Sequence, residues 1–146
     1  MFKPIIPRMG LIAIGLAVSL QVSVAAMADV VAVVSVDSPV TSLTRNQLAD
    51  IFLGRAVRFP DGVQAVPIDQ EEGSVTRDEF YATFAGKSPA QLKAYWSKVI
   101  FTGRGRPPPA VANGVEARKQ VTTNPRAIAY IDRSLIDTSI KVLRVE

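Results

Sequence analysis

The chain has 146 residues, 17 Lys and Arg against 13 Asp and Glu, 48% hydrophobic residues, and neither Cys nor His. That balance fits one ordinary domain, and the lack of imidazole and thiolate excludes cysteine nucleophiles, Ser-His-Asp machinery and the usual zinc sites. Proton chemistry would fall to carboxylates, Lys or Tyr, and the carboxylates show no metal-ligand spacing, so no metal site is expected.

Lys3 and Arg8 precede an apolar run from Met9 to Val24, and Ala26-Met27-Ala28 places small residues on either side of Met27. This is the pattern of a cleavable secretory signal over residues 1–28, leaving residues 29–146 as one exported domain, periplasmic or secreted. An uncleaved anchor is the rival reading and would be the only attachment to a membrane. Removal of Lys3 and Arg8 lowers the net charge from +4 to +2, too mild for a nucleic-acid footprint. Without cysteines in an oxidising compartment, the domain must rely on its core.

Val30 to Val36 reads VVAVVSV, which predicts a strand covered on both faces. Thr44-Arg45-Asn46-Gln47 is a capping box, Leu48, Ile51 and Phe52 form an apolar helical stripe, and Gly54 ends that helix. After the turn Pro60-Asp61-Gly62, a second strand is expected over Val63 to Ile68, and Asp69 to Ser74 reads as a polar loop. Arg77 to Ala85 carries Phe80 and Phe84 at helical spacing and stops at Gly86. Ser88-Pro89-Ala90-Gln91 is a second capping box, and Leu92, Tyr95, Trp96, Val99 and Ile100 trace an amphipathic helix whose Tyr95 and Trp96 are expected in the core.

The segment GRGRPPP, Gly103 to Pro109, is a stiff basic connector. Its Arg104 and Arg106 read as solvated charges, or alternatively as contacts for an acidic partner or an anion. A helix from about Gly114 to Thr123 ends at Asn124-Pro125. A short buried strand follows at Ala127 to Ile131, then an edge strand at Ile140 to Val145 with Lys141 and Arg144 exposed. Strands separated by helices make this an α/β layer structure.

The passage from Val66-Pro67-Ile68 through Gly73 into Arg77 has the form of an anion cradle. Free amides and the positive end of a helix leave the turn, Gly73 permits close approach, and Ser74 and Thr76 add hydroxyls. Thr76-Arg77-Asp78-Glu79 is also a capping box, which would explain the same residues as a helix start. Glu71 and Glu72 would repel an anion unless one shares a proton with it.

Three blocks carry a resemblance. Leu48-Ala49-Asp50-Ile51-Phe52-Leu53-Gly54-Arg55, Val66-Pro67-Ile68 leading into Gly73-Ser74-Val75-Thr76, and Asn124-Pro125-Arg126-Ala127-Ile128-Ala129-Tyr130-Ile131 resemble the phosphate-binding proteins of bacterial ABC transporters. In that family the matching pieces are an IFxG helix end, an R-x-x-G-S-G-T phosphate loop and an N-P-x-A-I-G-Y strand. The resemblance spans about Leu43 to Ile131 and implies one lobe of a type 2 periplasmic binding protein-like fold, a mixed sheet flanked by helices. It implies a non-enzyme without a cofactor, and phosphate or a related oxyanion as ligand. Gly73, Ser74 and Thr76 would then donate to its oxygens, Glu72 would accept the proton of hydrogen phosphate, and Arg77 would stand near. The family arginine falls at the uncharged Gln70, and a family glycine falls at Val75.

The family closes two lobes over its ligand, and residues 29–146 amount to about one. The resemblance therefore implies a weak site, or one completed by a transporter permease, a second protein or another copy of the chain. The alternative is an envelope interaction module that keeps the lobe fold without a ligand.

Overall fold

The computed structural model describes Pro4 and residues 29–146; the signal expected over residues 1–28 otherwise lies outside the described residues. β1 (Val30–Ser35) leads through β2 (Ser42–Leu43) into α1 (Arg45–Phe52), with both hydrogen bonds of the Thr44–Gln47 capping box in place. β3 (Val66–Gln70) precedes α2 (Val75–Phe80), which widens into a π-helical turn over Tyr81–Ala85 and stops at Gly86, φ +62°. Next come α3 (Pro89–Phe101), capped by Ser88 and Gln91, then β4 (Ala110–Val111) and α4 (Gly114–Thr123). β5 (Ala127–Asp132), a 3-10 turn at Arg133–Leu135, β6 (Ile140–Val142) and β7 (Arg144–Val145) complete the described chain. No helix among the described residues is long and apolar enough to cross a membrane.

The five-stranded sheet has the order β4-β3-β5-β1-β6, and β2 pairs with β7 apart from it. β3 runs parallel to β4 and β5, whereas β1 is antiparallel to both β5 and β6. This is the mixed α/β sheet with flanking helices that the resemblance implies. Alternation along β1 sends Val30, Ala32 and Val34 to one core and Val31 and Val33 to another, so the strand is covered on both faces as its composition requires. The first core joins Leu48 and Phe52 to Phe80, Trp96 and Tyr130, and the second sets α4 against Ala127, Ala129 and Ile131. Gly114 permits that second contact, since a Cβ there would lie 2.7 Å from Leu135 Cδ1.

Several expectations are corrected. The second strand starts at Val66, not Val63, and continues through Asp69 and Gln70, whose polar side chains find buried partners and need no loop. The helix expected to begin at Arg77 starts at Val75. Ile100 lies on the exposed side of α3, while Leu92 and Trp96 carry its packing. The last strand divides because Leu143 turns inward, its amide bonding Ala32 O at 2.9 Å, which leaves β6 at the sheet edge and β7 on β2. Lys141 is half-buried, its Nζ donating to Ser38 O, and Val142 is the more exposed residue. β4 was not apparent in the sequence. Two residues after three prolines carry no periodicity, and the pairing of Asp69 with Ala110 and Gln70 with Val111 defines it.

Candidate functional site

The site lies where β3 ends. Asp69 is only 2% exposed, and a buried carboxylate is tolerable only when its oxygens are satisfied. Tyr81 Oη donates to Oδ2 at 2.9 Å, Tyr130 Oη and the Gln70 amide donate to Oδ1, and Arg77 Nε lies 3.6 Å from Oδ1. Burial, followed by the Asp69 charge, pushes the phenols of Tyr81 and Tyr130 far above the usual tyrosine range, so both remain donors. This network ties β3, the π turn and β5 beneath the loop.

Gln70, 3% exposed, spends both ends of its amide internally: Nε2 donates to Tyr130 O at 3.0 Å and Oε1 accepts from Ser74 Oγ at 2.9 Å. It stands where the family places an arginine, but its work here is to hold Ser74. Above it, Glu71, Glu72 and Gly73 form the exposed turn, closed by a 3.2 Å bond from Ser74 N to Glu71 O. Gly73 has φ +94°, a conformation open to glycine, and nothing lies within 4 Å of its Cβ position.

Ser74, not Thr76, caps α2: its Oγ accepts from Arg77 N at 3.2 Å, and Thr76 lies inside the first turn, half-buried. The expected Thr76–Glu79 box therefore does not form, because the turn places Ser74 first in reach of the free helix amides. The amides of Gly73, Val75 and Thr76 have no acceptor among the described residues. A cavity of about 200 Å³ walled by Glu72, Arg77, Lys93 and Trp96 shares Glu72 and Arg77 with this segment, but Gly73, Val75 and Thr76 do not line it. Arg77 Nε is buried without a hydrogen-bond partner, and Lys93 Nζ lies 3.8 Å from Glu72 Oε1. Free amides and the Thr76 hydroxyl suit a small anion, while the nearby cations Arg77 and Lys93 already face Asp69 and Glu72. No group of three metal-ligating residues occurs among the described residues.

Gly73, Ser74, Thr76, Glu72 and Arg77 thus gather at one loop, with Gln70 below it. The sequence reading did not single out Asp69, Tyr81 or Tyr130. One signal was available for Tyr130, a phenol inside the otherwise apolar stretch Ala127 to Ile131, since a buried tyrosine hydroxyl requires a partner.

Neither a family model nor a curated protein matches the sequence. Solved structures do. A phosphate ABC transporter substrate-binding protein with bound phosphate from Clostridium perfringens matches 80% of this chain and 44% of its own at 23% identity and a TM-score of 0.64. An ABC-type phosphate transport receptor from Vibrio cholerae matches 80% of this chain and 46% of its own, at 21% identity and a TM-score of 0.63. PstS from Borrelia burgdorferi is similar over 81% of this chain and 47% of its own, at 14% identity and a TM-score of 0.61. The chain spans less than half the length of these structures, and its fold is that of a lobe-sized part of the phosphate transport binding proteins.

Proposed function

We propose that the chain is an exported, non-catalytic lobe that binds phosphate or a related oxyanion at Gly73-Ser74-Val75-Thr76. The observation that carries this reading is the set of unclaimed amides at Gly73, Val75 and Thr76 where the turn enters α2. Gly73 and Thr76 supply amides, the Thr76 hydroxyl adds a donor, Glu72 receives the proton of a hydrogen oxyanion, and Arg77 supplies charge. Gln70 keeps Ser74 in place instead of meeting the ligand. A small hydrated anion leaves water only for a nearly complete set of donors, so this half-shell binds weakly until a permease, another protein or a second copy covers it.

Thermal unfolding of the purified protein against phosphate and sulfate tests the reading. Ligand at about a hundred times its dissociation constant adds about 2.7 kcal/mol to unfolding. Thr76→Ala, which leaves the Ser74 cap intact, should reduce that gain. An unchanged melting temperature at saturating concentrations of every oxyanion tried would sink the proposal in favour of a lobe that keeps the fold without a ligand.

A further inference from the structure

Two cavities lie between the end of α1, α3 and the proline connector and meet at Gly54, Val99 and Arg104. The first, about 430 Å³, is walled by Arg55, Tyr95, Lys98 and Arg104, and the second, about 340 Å³, by Val57, Trp96, Arg106 and Pro107 to Pro109. Both fall in the range of ligand-sized clefts. No carboxylate lines either one.

Tyr95 is held by a 2.6 Å bond from its hydroxyl to Leu53 O, and two cations share its ring, Arg55 at 5.4 Å and Lys87 at 5.1 Å from the centroid. Only Arg55 has a counter-ion, Asp50 at 3.6 Å. Lys87, Lys98, Arg104 and Arg106 have no carboxylate within 4.0 Å among the described residues. The modest net charge of the chain is therefore locally uneven, with cations gathered around a trough. Such crowding is unfavourable alone and is relieved by an anionic partner. The surface between the cations is apolar: Val57 is 68% exposed, and Pro107 to Pro109 form a stiff wall.

We propose that this trough binds an acidic, extended segment of a partner protein, with carboxylates on Arg55, Lys98 and Arg104 and an apolar side chain between Val57 and the proline wall. Alternating charge and apolar surface in a concave trough suits a peptide better than a nucleic acid, which asks for a continuous basic stripe. A lipid surface would require a convex face, whereas these residues line a recess. The proposal shares the Trp96 and Pro107 walls with the cavity near the oxyanion loop but uses none of the residues assigned there to the ligand.

The test is fluorescence anisotropy of the purified protein with a labelled peptide alternating Glu and Leu. Its Lys-Leu counterpart, single-stranded DNA and anionic phosphatidylglycerol vesicles serve as competitors. Binding should be confined to the acidic peptide and should weaken as ionic strength rises from about 0.01 M to about 0.15 M, where the screening length falls from roughly 30 to 8 Å. The double change Lys98→Glu and Arg104→Glu should weaken it at least roughly tenfold with an unchanged melting temperature and an unchanged response to phosphate. Val57→Ser, on an exposed side chain, should weaken it less.

Absent binding, equal or stronger binding of DNA or vesicles, or indifference to the charge reversals would overturn the proposal. So would dimers in sedimentation that dissociate on Arg104→Glu, because the trough would then be occupied by a second copy.

Discussion

The two faces of the sheet are built from different materials. One face packs Phe52, Phe80, Trp96 and Tyr130, with Phe80 stacked on Tyr130 at 4.1 Å and 8° and set edge-on to Phe52 at 4.8 Å. The other packs Ala117, Val121, Ala127 and Ala129 and brings α4 close through Gly114. The rings of the first face include two tyrosines that carry hydroxyls to Asp69, whereas the aliphatic side chains of the second offer no polar handle. The candidate site thus stands over the face that can hold a buried polar network, and the opposite face serves as its backing.

Truncation should separate the faces most strongly. Phe80→Ala removes a side chain in contact with four other rings and should cost about 3–5 kcal/mol in denaturant unfolding. On the opposite face the damaging change is in the other direction. Gly114→Ala should cost about 1–3 kcal/mol by overpacking Leu135, and a second change, Leu135→Ala, should recover part of it. If Phe80→Ala costs no more than Gly114→Ala, the contrast between the faces fails.

The polar network should respond next. Tyr130→Phe keeps the ring stack but takes a donor from Asp69, and should cost about 1–3 kcal/mol. The two tyrosines also predict an alkaline limit. Their folded pKa values lie above the unfolded value of 10.0, so the stability they contribute is fully present below about pH 10 and is lost as pH rises beyond it. Melting temperature followed from neutral pH upward should bend down above about pH 10, and Tyr81→Phe should soften the bend. A smaller effect distinguishes two neighbouring hydroxyls: Ser74→Ala should cost about 0.5–2 kcal/mol as a lost cap, while Thr76→Ala should cost clearly less.

How much of this was legible follows from how local each cause is. The Thr44 and Ser88 boxes, the span of α4 and the two-sided burial of β1 are set by neighbours within a few residues, and all were readable. The position of the loop was readable for the same reason. Its cap was not, since Ser74 and Thr76 both suit a helix start and only the turn geometry selects between them. Asp69 and Gln70 look like loop residues in the sequence because their partners, Tyr81 and Tyr130, lie 12 and about 60 residues away, beyond any local pattern. The basic trough assembles α1's end, α3 and the proline connector, and the sequence offered only Arg104 and Arg106 as loose charges.

The π turn at Tyr81–Ala85 acts as a phase adjustment. One residue beyond α-helical count rotates everything after it by roughly 100° relative to everything before it. Tyr81, at its start, keeps time with Asp69, and the chain leaving Gly86 keeps time with the Ser88 cap of α3. Deleting one residue between Ala82 and Ala85 would restore an unbroken α-helix and force those two clocks onto a single rhythm, so that either the carboxylate network or the seating of α3 must slip.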